Sequence, residues 1–129
     1  MTDKGARFSM GLFNNVTNQA ILTTLGLSRQ QETMIANNLA NYDTPGYKAQ
    51  GLSFQSQLKQ AMDRGTNAVA SVSGTVTTLT GSLRPDGNSV SLTGQMADLA
   101  QAQLTYQTAV QAFNNKVTEV KIVTSGRPQ

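Results

Sequence analysis

The 129-residue chain has no cysteine, no histidine and no tryptophan. Without cysteine there is neither a disulfide framework nor a thiolate nucleophile. Without histidine, the commonest general base and transition-metal ligand is gone. Seven acidic residues remain, scattered singly along the chain. Glu32 and Asp98 read as solvated helix charges rather than as a carboxylate pair lining a cleft. No catalytic, metal or cofactor-binding residue is assigned, and the chain is not read as an enzyme.

Charge is scarce as well: 13% of residues carry it, with a formal net of +3. The Lys and Arg residues are spread out, without the basic stripe and interleaved aromatics of a nucleic-acid binder. No run of about 18 apolar residues occurs, so no stable membrane insertion is expected. Near the start, "FSMGLFNNVTNQAIL" is interrupted by Asn14, Asn15, Asn18 and Gln19, which argues against a cleavable signal peptide. Aromatics make up 5% of the chain and hydrophobic residues 38%. That is a thin apolar supply for a self-sufficient core, and it points to partner chains completing one.

What the sequence does contain is two helical patterns at its ends. Phe13, Val16, Ala20, Ile21, Leu25, Met34, Ile35 and Leu39 form a broad stripe at helical spacing, widened by Leu22 and Leu27. Gly26 weakens that helix by about 1 kcal/mol relative to Ala. Toward the other end, Leu92, Met96, Leu99, Tyr106, Val110, Phe113, Val117 and Val120 follow a heptad seam broken only at Gln103. Thr93 is a candidate cap for this helix. A helix of about 30 residues spans roughly 45 Å, long for a compact domain of this size. Between the two lies a Gly-, Ser-, Thr- and Val-rich stretch, compatible with short strands around Val69 to Leu79 and Val90 or with a linker.

The expected fold is mainly α. Long N- and C-terminal helices pack as a coiled-coil-like layer, with a small irregular or β-containing middle. The expected divisions are a lead over 1–9, a helix over 10–42, a turn and variable segment over 43–91, a heptad helix over 92–123, and a tail over 124–129. The packing residues expected between helices and subunits are Ile21, Leu25, Ile35 and Leu39 against Leu99, Tyr106, Val110, Phe113 and Val117.

The first helix is ended by several independent devices. Asn37, Asn38 and Asn41 compete for the helical backbone with their own side chains. Thr44 precedes a proline and is pushed out of the α region. Pro45 and Gly46 suit the two central positions of a type II turn. An ordinary helix stop accounts for these residue types, though not for the whole string. Asn38-Leu39-Ala40-Asn41, two residues, then Thr44-Pro45-Gly46-Tyr47-Lys48 closely resembles the N-terminal signature of the bacterial flagellar axial family of rod, hook and hook-associated proteins. Asp86-Gly87-Asn88-Ser89-Val90, followed by a helix containing Tyr106, resembles the FlgB-type proximal-rod branch. FlgC-type, distal-rod and hook proteins end with a Glu- and Arg-containing helix that is missing here. The sequence departs from the branch at Tyr42, where a small residue is common, and at Ser91, Thr93 and Gln95, where acidic residues are frequent.

The resemblance implies a structural subunit exported unfolded, without a cleaved signal peptide, by the flagellar type III export apparatus. It implies polymerisation in the periplasm into the hollow proximal rod, which transmits torque from motor to hook. The implied partners are further copies of the chain, FlgC, FliE, distal-rod proteins and the MS ring. A sibling FlgC-type subunit and a soluble coiled-coil adaptor or export chaperone are the alternatives. The resemblance also implies a Phe-x-x-x-apolar element for the export gate. Phe54 and Leu58 supply one in a stretch expected to be accessible, and Phe8 to Leu12 fits equally. Side chains four apart would also share one face of a short helix from Phe54 to Met62.

Overall fold

The computed structural model describes residues 15–81 and 83–125. Its elements run α1 (Val16–Ala40), β1 (Gln50–Ser53), α2 (Gln55–Met62), α3 (Thr66–Ala70), β2 (Thr75–Thr78) and α4 (Leu92–Ser125). The lead at 1–9, the start of the expected first helix at 10–14 with Phe13, and the end of the tail at 126–129 lie outside the described residues. Two long helices, α1 and α4, pack along one another and form the layer. The middle segment folds back on α1 as a two-stranded antiparallel sheet with two short helices.

Each long helix begins with a side-chain cap. Asn15 is extended, and its Oδ1 accepts the N–H of Asn18 at 2.7 Å. This satisfies one of the donors that every helix start leaves free. At α4 the cap is Ser91, whose hydroxyl accepts the Gly94 N–H at 3.1 Å. Thr93, the expected cap, already lies inside the helix.

Among the described residues, two small clusters anchor the core. Ala20 of α1 meets Ala61 of α2 and Val69 of α3, with Val16, Leu58 and Val72 around them. Leu27 of α1 meets Leu52 of β1 and Phe54, bordered by Met34, Leu58 and Val72. The buried apolar side chains include five alanines. The gain from burial is correspondingly modest, at about 25 cal/mol per Å² of apolar surface.

The strands differ from the sequence expectation. β2 falls inside the Val69–Leu79 window, but Val69 belongs to α3 and Val90 is in no strand. β1, which sequence reading missed, pairs with β2 in the register Gln50↔Thr78 to Ser53↔Thr75. Gln50-Gly51-Leu52-Ser53 carries little strand propensity of its own. Its conformation is imposed by α1 on one side and β2 on the other.

The seam of α4 is also displaced. The buried positions are Gln95, Ala102 and Ala109, seven apart. Met96 and Val110, larger side chains expected in the seam, lie one position beyond Gln95 and Ala109. Helix rows tolerate either arrangement, but small side chains let the two axes approach closely. Leu99, Tyr106 and Val120 flank the contact and are half-buried.

Candidate functional site

At the end of α1 the chain makes the turn anticipated from its residues. The Tyr47 N–H donates to the Thr44 carbonyl at 3.2 Å, and Gly46 has φ +74°, the positive value that a type II turn needs at its third residue. Before it, the Asn41 N–H returns to the carbonyls of Asn37 and Asn38, and the Tyr42 N–H to that of Leu39. Thr44 Oγ1 donates to Asn41 Oδ1 at 3.1 Å.

Three carbonyls at this helix end also accept a donor from 44 to 47 residues away. Asn88 is completely buried, and its amide nitrogen donates to the carbonyls of Asn41 (3.0 Å), Tyr42 (3.1 Å) and Thr44 (2.7 Å). Its Oδ1 accepts the Val90 N–H at 2.7 Å, and its own N–H donates to Asp86 Oδ1 at 2.9 Å. Arg84 donates to the same Tyr42 carbonyl and places its guanidinium over the Tyr42 ring, 4.0 Å from the centroid. Tyr42, a departure from the family pattern, is thus the platform for Arg84.

Arg84 to Asn88 is itself a tight hairpin. The Gly87 N–H donates to the Arg84 carbonyl at 2.8 Å, and the Arg84 N–H to the Asn88 carbonyl at 2.9 Å. Gly87 takes φ +83°, the conformation expected after a type I turn in a three-residue hairpin loop. Backbone bonds stitch this hairpin to the first turn: Gly46 N–H to Asp86 O at 2.9 Å and Ser89 N–H to Tyr47 O at 3.0 Å. The Ser89 hydroxyl accepts the Ala49 N–H at 2.9 Å, and Lys48 Nζ donates to the Gly87 carbonyl.

One turn earlier in α1, Asn38 is fully buried. Its amide donates to the Gln50 carbonyl at 2.7 Å and to Gln95 Oε1 at 2.8 Å, while its Oδ1 accepts the Gln50 N–H at 3.0 Å. A side-chain amide here copies the donor and acceptor of a neighbouring strand. Gln31 Nε2 adds a bond to the Leu52 carbonyl at 2.7 Å. The α1 side of β1 is thereby covered without a third strand.

The two sequence motifs, apparently separate, therefore form one site. Of the motif residues, Asn38, Asn41, Thr44, Gly46 and Tyr47 enter its hydrogen-bond network, whereas Ala40 and Pro45 are exposed. Gln95, noted from sequence only as a departure, is the buried residue that ties α4 to Asn38.

Among the expected packing residues, Ile35 is buried, and Ile21, Leu25, Leu39, Leu99, Tyr106 and Val110 are half-buried. Phe113 and Val117 remain 41% and 38% exposed. With Ile21, Leu22 and Val120 they line an apolar groove between the first turns of α1 and the second half of α4. Phe54, expected to be accessible, is 1% exposed and sits in the core, with Leu58 packed against both clusters. The reading of these two as one face of a short helical segment describes the folded chain. The alternative at Phe8 to Leu12 lies outside the described residues.

The family described as "Flagella basal body rod protein" matches residues 24–48, the second half of α1 and the motif turn. The flagellar basal body rod protein FlgB of Bacillus subtilis (strain 168) is 33% identical over 131 residues, covering 91% of this chain and 98% of that protein. The chain belongs to the FlgB family of flagellar basal body rod proteins. The FlgB of Escherichia coli (strain K12) is 31% identical over 112 residues, covering 72% of this chain and 81% of the relative. The role that comes with the family is that of a structural rod protein in the flagellar basal body, assembled with other components of that body. In this rod protein the family match ends at Lys48, whereas the residues that hold the matched turn in place, Arg84 to Ser89, lie well beyond it.

Proposed function

We propose that this chain is a subunit of the proximal rod, exported unfolded by the flagellar type III apparatus without a cleaved signal peptide. It polymerises in the periplasm into the hollow shaft that carries torque from motor to hook. Its neighbours there are further copies of itself, FlgC, FliE and distal-rod proteins, with the MS ring at the base.

The observation that carries this reading is the apolar surface of the helical layer. Leu92 and Met96 at the start of α4, and Leu22, Phe113, Val117 and Ile122 toward the other end, are 38% to 52% exposed. Isolated exposed apolar side chains are ordinary on a protein surface. A succession of them along both ends of the helical layer is the pattern of surfaces that become buried on assembly. The expected packing roles of Phe113 and Val117 belong to those contacts between subunits. Recognition of Phe54 and Leu58 at an export gate belongs to the unfolded chain, because folding conceals Phe54.

Cryo-electron microscopy of basal bodies from cells whose only copy of the protein carries a small tag tests the proposal. Tag density is expected in the rod, adjacent to the MS ring. A complete rod without the tagged protein, or a tagged protein found only in the cytosol with export substrates, as for a chaperone, would overturn it.

A further inference from the structure

The contacts between α1 and α4 at this end form a closed circuit. From the end of α1, the carbonyls of Asn41, Tyr42 and Thr44 lead to the Asn88 amide. Asn88 Oδ1 leads to the Val90 N–H, and Ser91 then caps α4. One turn into that helix Gln95 returns to Asn38 on α1, and Asn38 in turn holds Gln50. Its three amide side chains, Asn38, Asn88 and Gln95, are buried and would be left unpaired if their partners withdrew.

We infer that Arg84–Ser89 is a latch: by closing on the end of α1 it locks the motif turn, β1 and the first turn of α4 as one cooperative unit. Each sequence motif has local bonds of its own, but each also relies on the other. The turn at Thr44–Tyr47 keeps one internal backbone bond, while Gly46, Tyr47 and Ala49 each depend on a partner between Asp86 and Ser89. The hairpin, conversely, leaves Asn88 without acceptors until the end of α1 arrives. An N-terminal portion of the chain thus lacks the Asn88 donor to the carbonyls of Asn41, Tyr42 and Thr44 until residue 88 is available to it. The layer of α1 and α4 and the folded middle segment are set together, by a segment that lies in neither helix.

Hydrogen exchange of the full-length chain, resolved by residue, tests this with Asn88→Asp. That change keeps the side-chain size and an oxygen for the Val90 N–H but removes the donors to α1. The latch requires the amides of Gly46, Ser89, Gln50 and Gln95 to accelerate together by about tenfold or more, while Leu27 and Ala109 are unchanged. Acceleration confined to Gly46 and Ser89, with Gln50 and Gln95 at their original rates, would overturn it by showing a local cap that couples nothing. If this variant loses the fold, Ser89→Ala carries the same test. That change removes only the hydroxyl accepting the Ala49 N–H. Joint acceleration at Gly46, Gln50 and Gln95 then supports the latch, and acceleration restricted to Ala49 overturns it.

Discussion

Asn38 on α1 grips Gln50 on β1 through both backbone groups, donating to its carbonyl at 2.7 Å and accepting its N–H at 3.0 Å. Truncation to alanine leaves both groups without their partner, and Gln95 Oε1 unpaired in a buried position. Asn38→Ala is therefore expected to destabilise the chain by about 2–4 kcal/mol, near the upper end for a single side chain. Urea unfolding followed by circular dichroism checks this, with the midpoint falling.

Ser28 behaves in the opposite way. It is fully buried on α1, and its hydroxyl has no hydrogen-bond partner. Replacing it with alanine removes an unpaired polar group and introduces the best helix former. Ser28→Ala is expected to raise stability by about 1 kcal/mol, seen as an increase of several degrees in the thermal midpoint for a domain of this size.

Gly46→Ala tests the motif turn. From sequence alone, alanine at 45 and 46 is expected to lengthen α1 at little cost to the single chain. The structure makes that expectation too mild. Gly46 has φ +74° and donates to Asp86, and continuing the helix would also pull the Tyr42 and Thr44 carbonyls from Asn88. A loss of about 1–2 kcal/mol is expected for the single substitution, from left-handed strain alone. Calorimetry of the monomer supplies the measurement, and an unchanged melting temperature would show the turn to be tolerant.

Phe113→Asp separates folding from assembly. Phe113 is 41% exposed at the rim of the α1–α4 groove. The monomer is expected to lose no more than about 1 kcal/mol, as at other surface positions. Burial of the new carboxylate against a neighbouring subunit would cost several kcal/mol if left unpaired. Cells carrying only this variant are expected to make and export the protein but lack rods, and normal swimming in soft agar would refute the packing role.

The long helices were legible because their signals are local. Apolar spacing marked α1 and α4, and Pro45 and Gly46 marked the turn between helix and sheet. Which face of α4 meets α1 was not local. The heptad seam includes Leu99, Tyr106, Val110 and Val120, which are half-buried, but the fully buried positions of α4 are Gln95, Ala102 and Ala109, which the seam does not contain. β1 was invisible for the same reason, since its residues become a strand only when Asn38, Gln31 and β2 satisfy its backbone. The sequence by itself determined the two long helices, the turn that ends the first of them and the family the chain belongs to. Only the tertiary structure decided that Phe54 is core, that Gln95 is a link between the helices and that Asn88 closes the end of α1. Those roles depend on hydrogen bonds and packing between residues distant in the sequence, whose energy exists only when the chain has brought both partners together.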